Sequence, residues 1–341
     1  MALLFVDSFD HYATADILQK WTTKDDTIEI GAYGRNSTNG LRCSGGNADE
    51  VNVVYTRTAN TNTCIVGFAF KWVTHTGAAL SILDIRDSAT THVALLLDNT
   101  GILTVYRGLG TTLLGTTSAT LASGTYYYIE LKVAIHDTTG TVDVQVNGSN
   151  VLSLTGQDTR NGAAAQWTSI CLGNAINNTS NKTFDYDDFY LADSSGATNN
   201  DLLGPIRVKA ILPDGAGAST DFTPSAGSNF QNVDEASTDG DTTYNSESTA
   251  GDHDTYTYAA LGLSGTVKGV QTNLMVRSDG AGSETIAPMV RISSTDYQGT
   301  TANVTTSYAD SRQVYETSPA TAAAWTVAEI DGAEFGIKLV S

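Results

Sequence analysis

Three carboxylates form the densest group of potentially reactive side chains in the chain. The segment FDYDDFYL, residues 184–191, contains Asp185, Asp187 and Asp188. On a strand, the first two would share one face and lie roughly 7 Å apart. Two carboxylates so placed could act as a glycosidase pair, or they could hold a calcium ion together with other oxygen ligands. A third interpretation is that Asp187 and Asp188 bond turn amides or face solvent while their aromatic neighbours pack.

Aromatic side chains in loop-rich segments are candidates for glycan binding. Sugar C–H faces stack on aromatic rings, and nearby amide and charged groups bond the hydroxyls. The candidates chosen on this basis are Tyr33, Tyr106, Arg107, Asn161 and Trp167. Each aromatic residue has an alternative role in core or rim packing, because aromatic residues dominate the cores of β-sandwiches. Trp72 alternates with apolar neighbours and is predicted to be a core residue.

Other reaction chemistries lack their usual sequence patterns. The three cysteines, Cys43, Cys64 and Cys171, have no C-x-x-C spacing and are predicted to be reduced core residues. No two of the five histidines lie within four residues of each other, and no serine occupies a G-x-S-x-G motif. The acidic segment around Asp239 and Asp241 lacks the residue order of an EF-hand. We therefore expect no enzymatic activity and, at most, a structural calcium ion as cofactor.

The charge of the chain restricts its partners. It has 37 acidic and 18 basic residues, which gives a formal net charge of −19. Such a charge opposes binding to nucleic acids and to anionic membranes. The opening MALLFVDSFDHY has no basic region followed by a long apolar run, and no 18-residue apolar stretch occurs elsewhere. The sequence thus predicts synthesis in the cytoplasm without a signal peptide or membrane insertion.

The elements that would position these residues are predicted to be β-strands. Short apolar runs alternate with polar residues and are separated by turn signals, as at Asp98–Gly101 and Asn147–Gly148. The stretch ADSSGATNND, residues 192–201, has no large apolar side chain and is typical of a domain boundary. We predict an all-β chain with a first domain at 1–195, a linker at 196–203, and a second domain at 204–341. The second domain is predicted to open with a strand over 204–212.

The first domain resembles a concanavalin A-like or laminin-G-like jelly roll. The resemblance lies in FVDSFDHY with Trp21 downstream, ALLLDNTGILTVYRG, SGTYYYIELKVAIHDTTGTVDVQVNG and the closing FDYDDFYLAD. It implies a two-sheet sandwich in which the first and last strands share a sheet, and some members hold calcium at the sandwich rim. Glucanases of this fold carry two catalytic glutamates in an E-x-D-x-E pattern. The E-x-D-x-E pattern is absent from this sequence, which disfavours glycan cleavage.

The second domain, predicted to be a C-terminal β-sandwich, resembles the closing modules of tailed-phage virion proteins. The matching residues are Trp325-Thr326-Val327 followed by IDGAEFGIK, residues 330–338. Together with the lectin-like first domain and a start without a signal peptide, this ending resembles head decoration, head fibre, and tail or baseplate adhesion proteins, which implies a non-enzymatic structural protein of the virion. Its implied partners are other virion proteins, host-surface polysaccharide and copies of itself, for example in a trimer. The alternative is a glycan-cleaving hydrolase, a depolymerase of concanavalin A-like fold.

Overall fold

The computed structural model describes residues 2–47, 49–177, 180–280 and 282–341, and its regular structure is almost entirely β-strand. The predicted all-β fold class is confirmed. The chain divides into two units, residues 1–208 and 209–341. Among the described residues, no helix is long and apolar enough to cross a membrane.

The first unit is built from two antiparallel sheets. It contains, in chain order, the strands β1 (Leu3–Asp7), β2 (Thr23–Lys24), β3 (Ile28–Gly31), β4 (Gly40–Gly45), β5 (Val51–Thr61), β6 (Thr63–His75), β7 (Leu80–Asp87), β8 (Thr90–Leu97), β9 (Ile102–Arg107), β10 (Thr112–Thr120), β11 (Tyr127–Ala134), β12 (Gly140–Val146), β13 (Ser149–Gln157), β14 (Trp167–Asn174) and β15 (Lys182–Ala192). A short helix, α1 (Ile17–Lys20), follows β1. One sheet has eight strands, in the order β13-β12-β11-β6-β15-β4-β3, with β1 also paired to β15. The other has seven, in the order β10-β9-β8-β7-β14-β5-β2.

The pairing of these strands follows the turn signals in the sequence. The β12–β13 hairpin turns at Asn147 and Gly148, which have φ values of 49° and 76°. Positive φ at both central residues is what a type I′ turn requires, and glycine adopts it without strain. Leu3 of β1, the first strand of the unit, pairs with Ala192 of β15, the last strand. The first and last strands of the unit therefore share one sheet, as expected.

The core of the first unit lies between the two sheets. Alternate residues of β6 and β11, such as Phe68, Phe70 and Leu131, are fully buried there. Their neighbours in sequence face the other side, because successive side chains of a strand alternate between faces. Trp72 is only partly buried, although it packs against the core and its Nε1 donates to the Leu121 carbonyl at 3.3 Å. The three cysteines are buried and free, as predicted.

The boundary between the two units falls after residue 208, later in the chain than the predicted linker at residues 196–203. The strand predicted over residues 204–212 is not formed. The backbone N–H groups of Gly204 and Val208 donate instead to the carboxylates of Glu130 and Asp188 in the first unit. A segment whose N–H groups bond to side chains in this way has no strand ladder to join.

The second unit is built around a six-stranded sheet. It contains β16 (Pro213–Thr220), β17 (Thr223–Pro224), β18 (Asn245–Ser246), β19 (His253–Tyr258), β20 (Val270–Val276), β21 (Thr285–Ile292), β22 (Thr295–Gln298), β23 (Ala302–Asn303), β24 (Ala309–Tyr315), the helix α2 (Val327–Asp331) and β25 (Glu334–Leu339). The sheet order is β16-β19-β25-β21-β22, with β23 also paired to β21, and β20–β24 forms a separate two-stranded ladder. Val290 and Phe335 of the sheet share one core with Tyr315 of the ladder. Two β-layers around a common core make this unit a sandwich.

A buried carboxylate, Asp254, binds the long polar segment between β16 and β19, residues 221–252. Asp254 is fully buried and accepts hydrogen bonds from Phe222 N at 2.9 Å, Asn229 Nδ2 at 2.7 Å and Tyr256 Oη at 3.0 Å. Two of these donors belong to the segment between β16 and β19. That segment is therefore ordered by contacts within its own unit.

Replacing Asp254 by Ala is expected to lower the free energy of unfolding of the second unit by about 2 kcal/mol, because three donors lose their acceptor. Urea denaturation measures the loss, and hydrogen exchange of residues 222–246 should become faster. Asp252→Ala, at a half-buried neighbouring position, is the matched control and should leave both unchanged. Equal effects of the two substitutions would contradict the assigned role of Asp254.

Candidate functional site

Asp185 lies at the centre of a charged cluster on the outer face of the eight-stranded sheet. β15 runs between β4 and β6, and the register places Asp185 between Arg42 and Lys71. Arg42 donates through Nε to Oδ1 at 2.7 Å and through Nη2 to Oδ2 at 3.0 Å, and Lys71 Nζ lies 3.0 Å from Oδ2. The carboxylate is 0% exposed. Two cations from neighbouring strands thus compensate one buried charge.

Two tyrosines complete the cover over Asp185. The Arg42 guanidinium lies 3.6 Å from the centre of the Tyr33 ring, and Lys71 Nζ lies 4.7 Å from the centre of the Tyr126 ring. The Tyr126 hydroxyl donates to the Tyr33 carbonyl, so the two tyrosines are joined directly. We call Tyr33, Arg42, Lys71 and Tyr126 the cap. Cation–π contacts and the shared carboxylate hold all four side chains in fixed positions.

The cap keeps part of its surface in solvent. The side chains of Arg42 and Lys71 retain 24% and 20% of their exposure. The hydrogen bonds to Asp185 raise the pKa of Arg42. Burial raises the pKa of the Tyr126 hydroxyl well above its ordinary value of 10.0. Both groups therefore keep their protons at neutral pH, and the single O–H of Tyr126 is already donated to the Tyr33 carbonyl.

Asp187 lies further along β15, beneath the turn Arg35–Ser37. Its Oδ2 accepts from Arg35 N at 2.6 Å and from Thr38 Oγ1 at 3.3 Å, and its Oδ1 accepts from Asp188 N at 2.7 Å. Burial, followed by the negative charge of Asp188, raises the pKa of Asp187 to about 8. The side chain is 2% exposed. Asp187 therefore acts as an acceptor for nearby backbone N–H groups.

Asp188 occupies an irregular position of β15, where φ is 48° and the register with β6 shifts. Its Oδ2 accepts from Arg35 Nε at 2.7 Å, and its Oδ1 accepts from Val208 N at 2.7 Å. Burial raises its pKa, and the charge of Arg35 opposes that effect. Bonding of amides by Asp187 and Asp188 was one of the three interpretations of the sequence.

The structure does not bring the three aspartates together as calcium ligands. The oxygens of Asp185 bond to Arg42 and Lys71, whereas those of Asp187 and Asp188 bond to Arg35 and to backbone N–H groups. Within the part of the chain that the structure describes, no group of three His, Cys, Asp or Glu side chains is placed to hold a metal ion. The two-residue spacing of Asp185 and Asp187 indicates that they share a strand face, and it does not indicate a common ligand.

Residues 201–208 cover another part of the same sheet face, and we call them the strap. Gly204 N donates to Glu130 Oε1 at 2.9 Å, and Leu203 N donates to the Tyr190 hydroxyl at 3.2 Å. That hydroxyl itself donates to Glu130 Oε1 at 2.6 Å. Glu130 is 0% exposed, and burial raises its pKa. The sheet face thus has an open part at the cap and a covered part under the strap.

Trp167 is not available to a sugar, so the prediction of a glycan-binding role for it is wrong. The side chain is 0% exposed, and its Nε1 donates to the Thr63 carbonyl at 2.8 Å. The Arg57 guanidinium lies 4.4 Å from the centre of its ring. Trp167 opens β14, whose apolar residues pack between the sheets, and the packing alternative applies to it.

The other predicted glycan-binding residues lie at two separate places. Tyr33 belongs to the cap. Tyr106 and Arg107 end β9 in the seven-stranded sheet, where Arg107 pairs with Asp158. Asn161 lies beside Gly108, the residue after Arg107, but its Nδ2 donates to the Thr91 carbonyl at 3.0 Å and so supports the loop. Only Tyr33 is joined to a larger group of polar and aromatic side chains.

Sequence reasoning missed three members of the cap, Arg42, Lys71 and Tyr126. A signal existed for Lys71, because it is the one charged residue in the apolar strand IVGFAFKWV and must point away from the core. Arg42 and Asp185 are 143 residues apart in sequence, and only the pairing of β4 with β15 brings them together. No local pattern indicates that pairing.

Comparisons with known proteins give distant similarities for about half of the chain. No protein-family model and no curated protein matches it. Among solved structures, the cellulose-induced protein Cip1 is 16% identical, with a TM-score of 0.41 over 51% of this chain and 92% of that protein. The alginate lyase Aly36B is 11% identical, with a TM-score of 0.38 over 55% of this chain and 96% of that protein. A sialidase is 12% identical, with a TM-score of 0.40 over 56% of this chain and 18% of that protein.

Proposed function

We propose that this chain is a non-enzymatic structural protein of a tailed-phage virion and that its first unit binds host-surface glycan at the cap. The observation that carries the glycan part is the closed ring of Tyr33, Arg42, Lys71 and Tyr126 around the buried Asp185. It combines hydrogen-bond donors with aromatic surface in one fixed arrangement. Such a combination suits a ligand that has both hydroxyl groups and C–H faces.

The donors of the cap remain available to a ligand. Arg42 uses Nε and Nη2 for Asp185, which leaves Nη1 for hydroxyl groups. Lys71 Nζ carries three N–H groups and needs one of them for Asp185. Next to the cap, the hydroxyls of Ser44 and Thr183 lie 2.9 Å apart. A fixed arrangement of this kind reduces the entropy lost when a ligand binds.

Access to the carboxylates supports a binding role over cleavage. A general acid must come within about 2.6–3.2 Å of the glycosidic oxygen. Asp185 is covered by the cap, and Asp187 lies beneath the turn Arg35–Ser37 with both oxygens already accepting hydrogen bonds. Neither is placed to meet a sugar directly. Release of new reducing ends by the purified protein would contradict this part of the proposal and favour the hydrolase alternative.

The virion part of the proposal rests on the closing residues of the second unit. Trp325 is buried, and its Nε1 donates to the Tyr315 carbonyl at 3.1 Å. Thr326 caps α2 by accepting from Glu329 N at 3.1 Å, and β25 then enters the middle of the six-stranded sheet. The pattern that resembles phage modules is thus a structural part of this unit. On this proposal, other virion proteins and further copies of the chain are its partners.

Cryo-electron microscopy of the intact phage particle tests the virion part. We expect density for this chain in repeated copies on the head, a fibre or the tail. Mass spectrometry of purified particles should detect the protein in stoichiometric amounts. Its absence from purified particles would contradict the proposal.

An array of bacterial-surface glycans, probed with the full chain, tests the glycan part. We expect binding to a small set of glycans, and at least tenfold weaker binding after Lys71→Gln, which removes the charge but keeps most of the side chain. Lys24→Gln, on β2 of the other sheet, is the matched control and should bind as the unchanged protein does. Absence of binding to every arrayed glycan, or equal loss in both variants, would contradict the site.

A further inference from the structure

The outer face of the eight-stranded sheet changes from open to closed along β15. At Thr183 the face is partly exposed to solvent, and the Thr183 and Ser44 hydroxyls lie 2.9 Å apart. Two residues on, the cap covers Asp185 but presents its own surface to solvent. Two residues further, Asp187 is covered by the turn Arg35–Ser37. Each such step moves roughly 7 Å along the strand.

The strap closes the face beyond that turn. Leu203 and Gly204 bond to Tyr190 and Glu130, and Val208 N bonds to Asp188. The Ile206 carbonyl accepts from Arg35 Nη2 at 2.5 Å. Arg35 therefore belongs to both barriers, the turn and the strap.

The strap is bonded to the rest of the first unit at both of its ends and between them. Lys132 Nζ lies 2.9 Å from Asp201 Oδ1 at the start of the strap, and Val208 N is bound to Asp188 at its end. Between them, every described hydrogen bond from the strap to the face involves a side chain that is itself buried or partly buried. A ligand that ran across this part of the sheet would have to break several of these bonds.

We propose that the turn Arg35–Ser37 and the strap make the site one-ended, so that it binds the terminal sugars of a short or end-presented saccharide. The terminal sugar lies against the cap, and the rest of the saccharide leaves over Thr183 and Ser44. Because this rests on the glycan binding proposed above, its ligand is the same glycan in a defined orientation. The internal stretches of a long polysaccharide do not fit, since the turn and the strap leave the polysaccharide no path past Asp187.

Fragments of the arrayed glycans with one, two, four and eight sugar residues test the length dependence with the full-length protein. We expect affinity to rise from one residue to two and then to stay constant within twofold. Chemical blocking of the end that meets the cap should weaken binding at least tenfold, whereas blocking the other end should not. Affinity that continues to rise up to eight residues, or equal binding of end-blocked fragments, would overturn the inference.

A substitution on the proposed exit path gives an independent test. Thr183→Trp should weaken the binding of fragments of two or more residues at least tenfold and leave binding of the single sugar within twofold. Ser153→Trp, at an exposed position of β13 in the same sheet, is the control and should change neither. Unchanged binding of long fragments by Thr183→Trp would overturn the exit path. Failure of every fragment to bind the unchanged protein would instead overturn the proposed function, and the inference would fall with it.

Discussion

Replacing both Arg42 and Lys71 by Met is expected to lower the free energy of unfolding of the first unit by about 3 kcal/mol. Asp185 is 0% exposed and depends on these two cations for compensation. Removing both leaves a buried carboxylate without an opposite charge. Urea denaturation, with hydrogen exchange of the β15 amides assigning the transition to the first unit, measures the loss.

The same pair of substitutions combined with Asp185→Leu is the control. With the carboxylate also removed, three apolar side chains occupy the positions of the charged cluster, and buried ion pairs replaced in this way often leave stability unchanged. We therefore expect most of the lost stability to return. Glycan binding should stay absent in both variants, because both lack the donors of the cap. A triple variant as unstable as the double one would contradict the assigned compensation.

The stability of the first unit is expected to fall as the pH rises from about 4 to about 8 because of Asp187. Burial and the charge of Asp188 raise the pKa of this carboxyl from an ordinary 3.8 to about 8 in the folded state. The folded state therefore retains a proton that the unfolded chain releases. The resulting stabilisation is fully present below pH 3.8 and is lost as the pH approaches 8, by up to about 1.4 kcal/mol for each pH unit.

Asp187→Asn separates this effect from those of other buried carboxyl groups. An amide has no charge at any pH in this range, so the variant should lack the part of the pH dependence that Asp187 causes. At low pH it should be less stable by on the order of 1 kcal/mol, because one acceptor oxygen becomes a donor, whereas at pH 9 it should be the more stable of the two proteins. Denaturation curves at pH 5, 7 and 9 give the difference between the two proteins. Equal slopes would contradict the raised pKa.

Strand alternation and turn signals predicted much of the first unit. The Asn147–Gly148 turn and the alternation in residues 126–135 are local features, and local features are readable from a single sequence. Trp167 shows the limit of that reading. Its segment contains turn residues as well as an apolar run. Its ring is buried because the apolar side chains of β14, a strand of the seven-stranded sheet, pack between the two sheets.

The candidate site could be predicted only in part because it is assembled across strands. The sequence identified Asp185 and Tyr33, but their partners come from β4, β6 and the segment before β11. Strand order is a property of the whole sheet. The strand predicted over residues 204–212 failed for a related reason, since the acceptors that hold this segment, Glu130 and Asp188, are distant in sequence.

The strap also decides where the first unit can be cut. The exposed turn before it, residues 194–200, is the kind of segment that proteases nick. A nick there would break the chain but leave residues 201–208 bonded to Glu130, Tyr190, Asp188 and Arg35. The two fragments would then stay associated without a covalent link. A fragment ending at residue 195 would instead leave the carboxylates of Glu130 and Asp188 without their backbone donors, so the first unit should be isolated as residues 1–208.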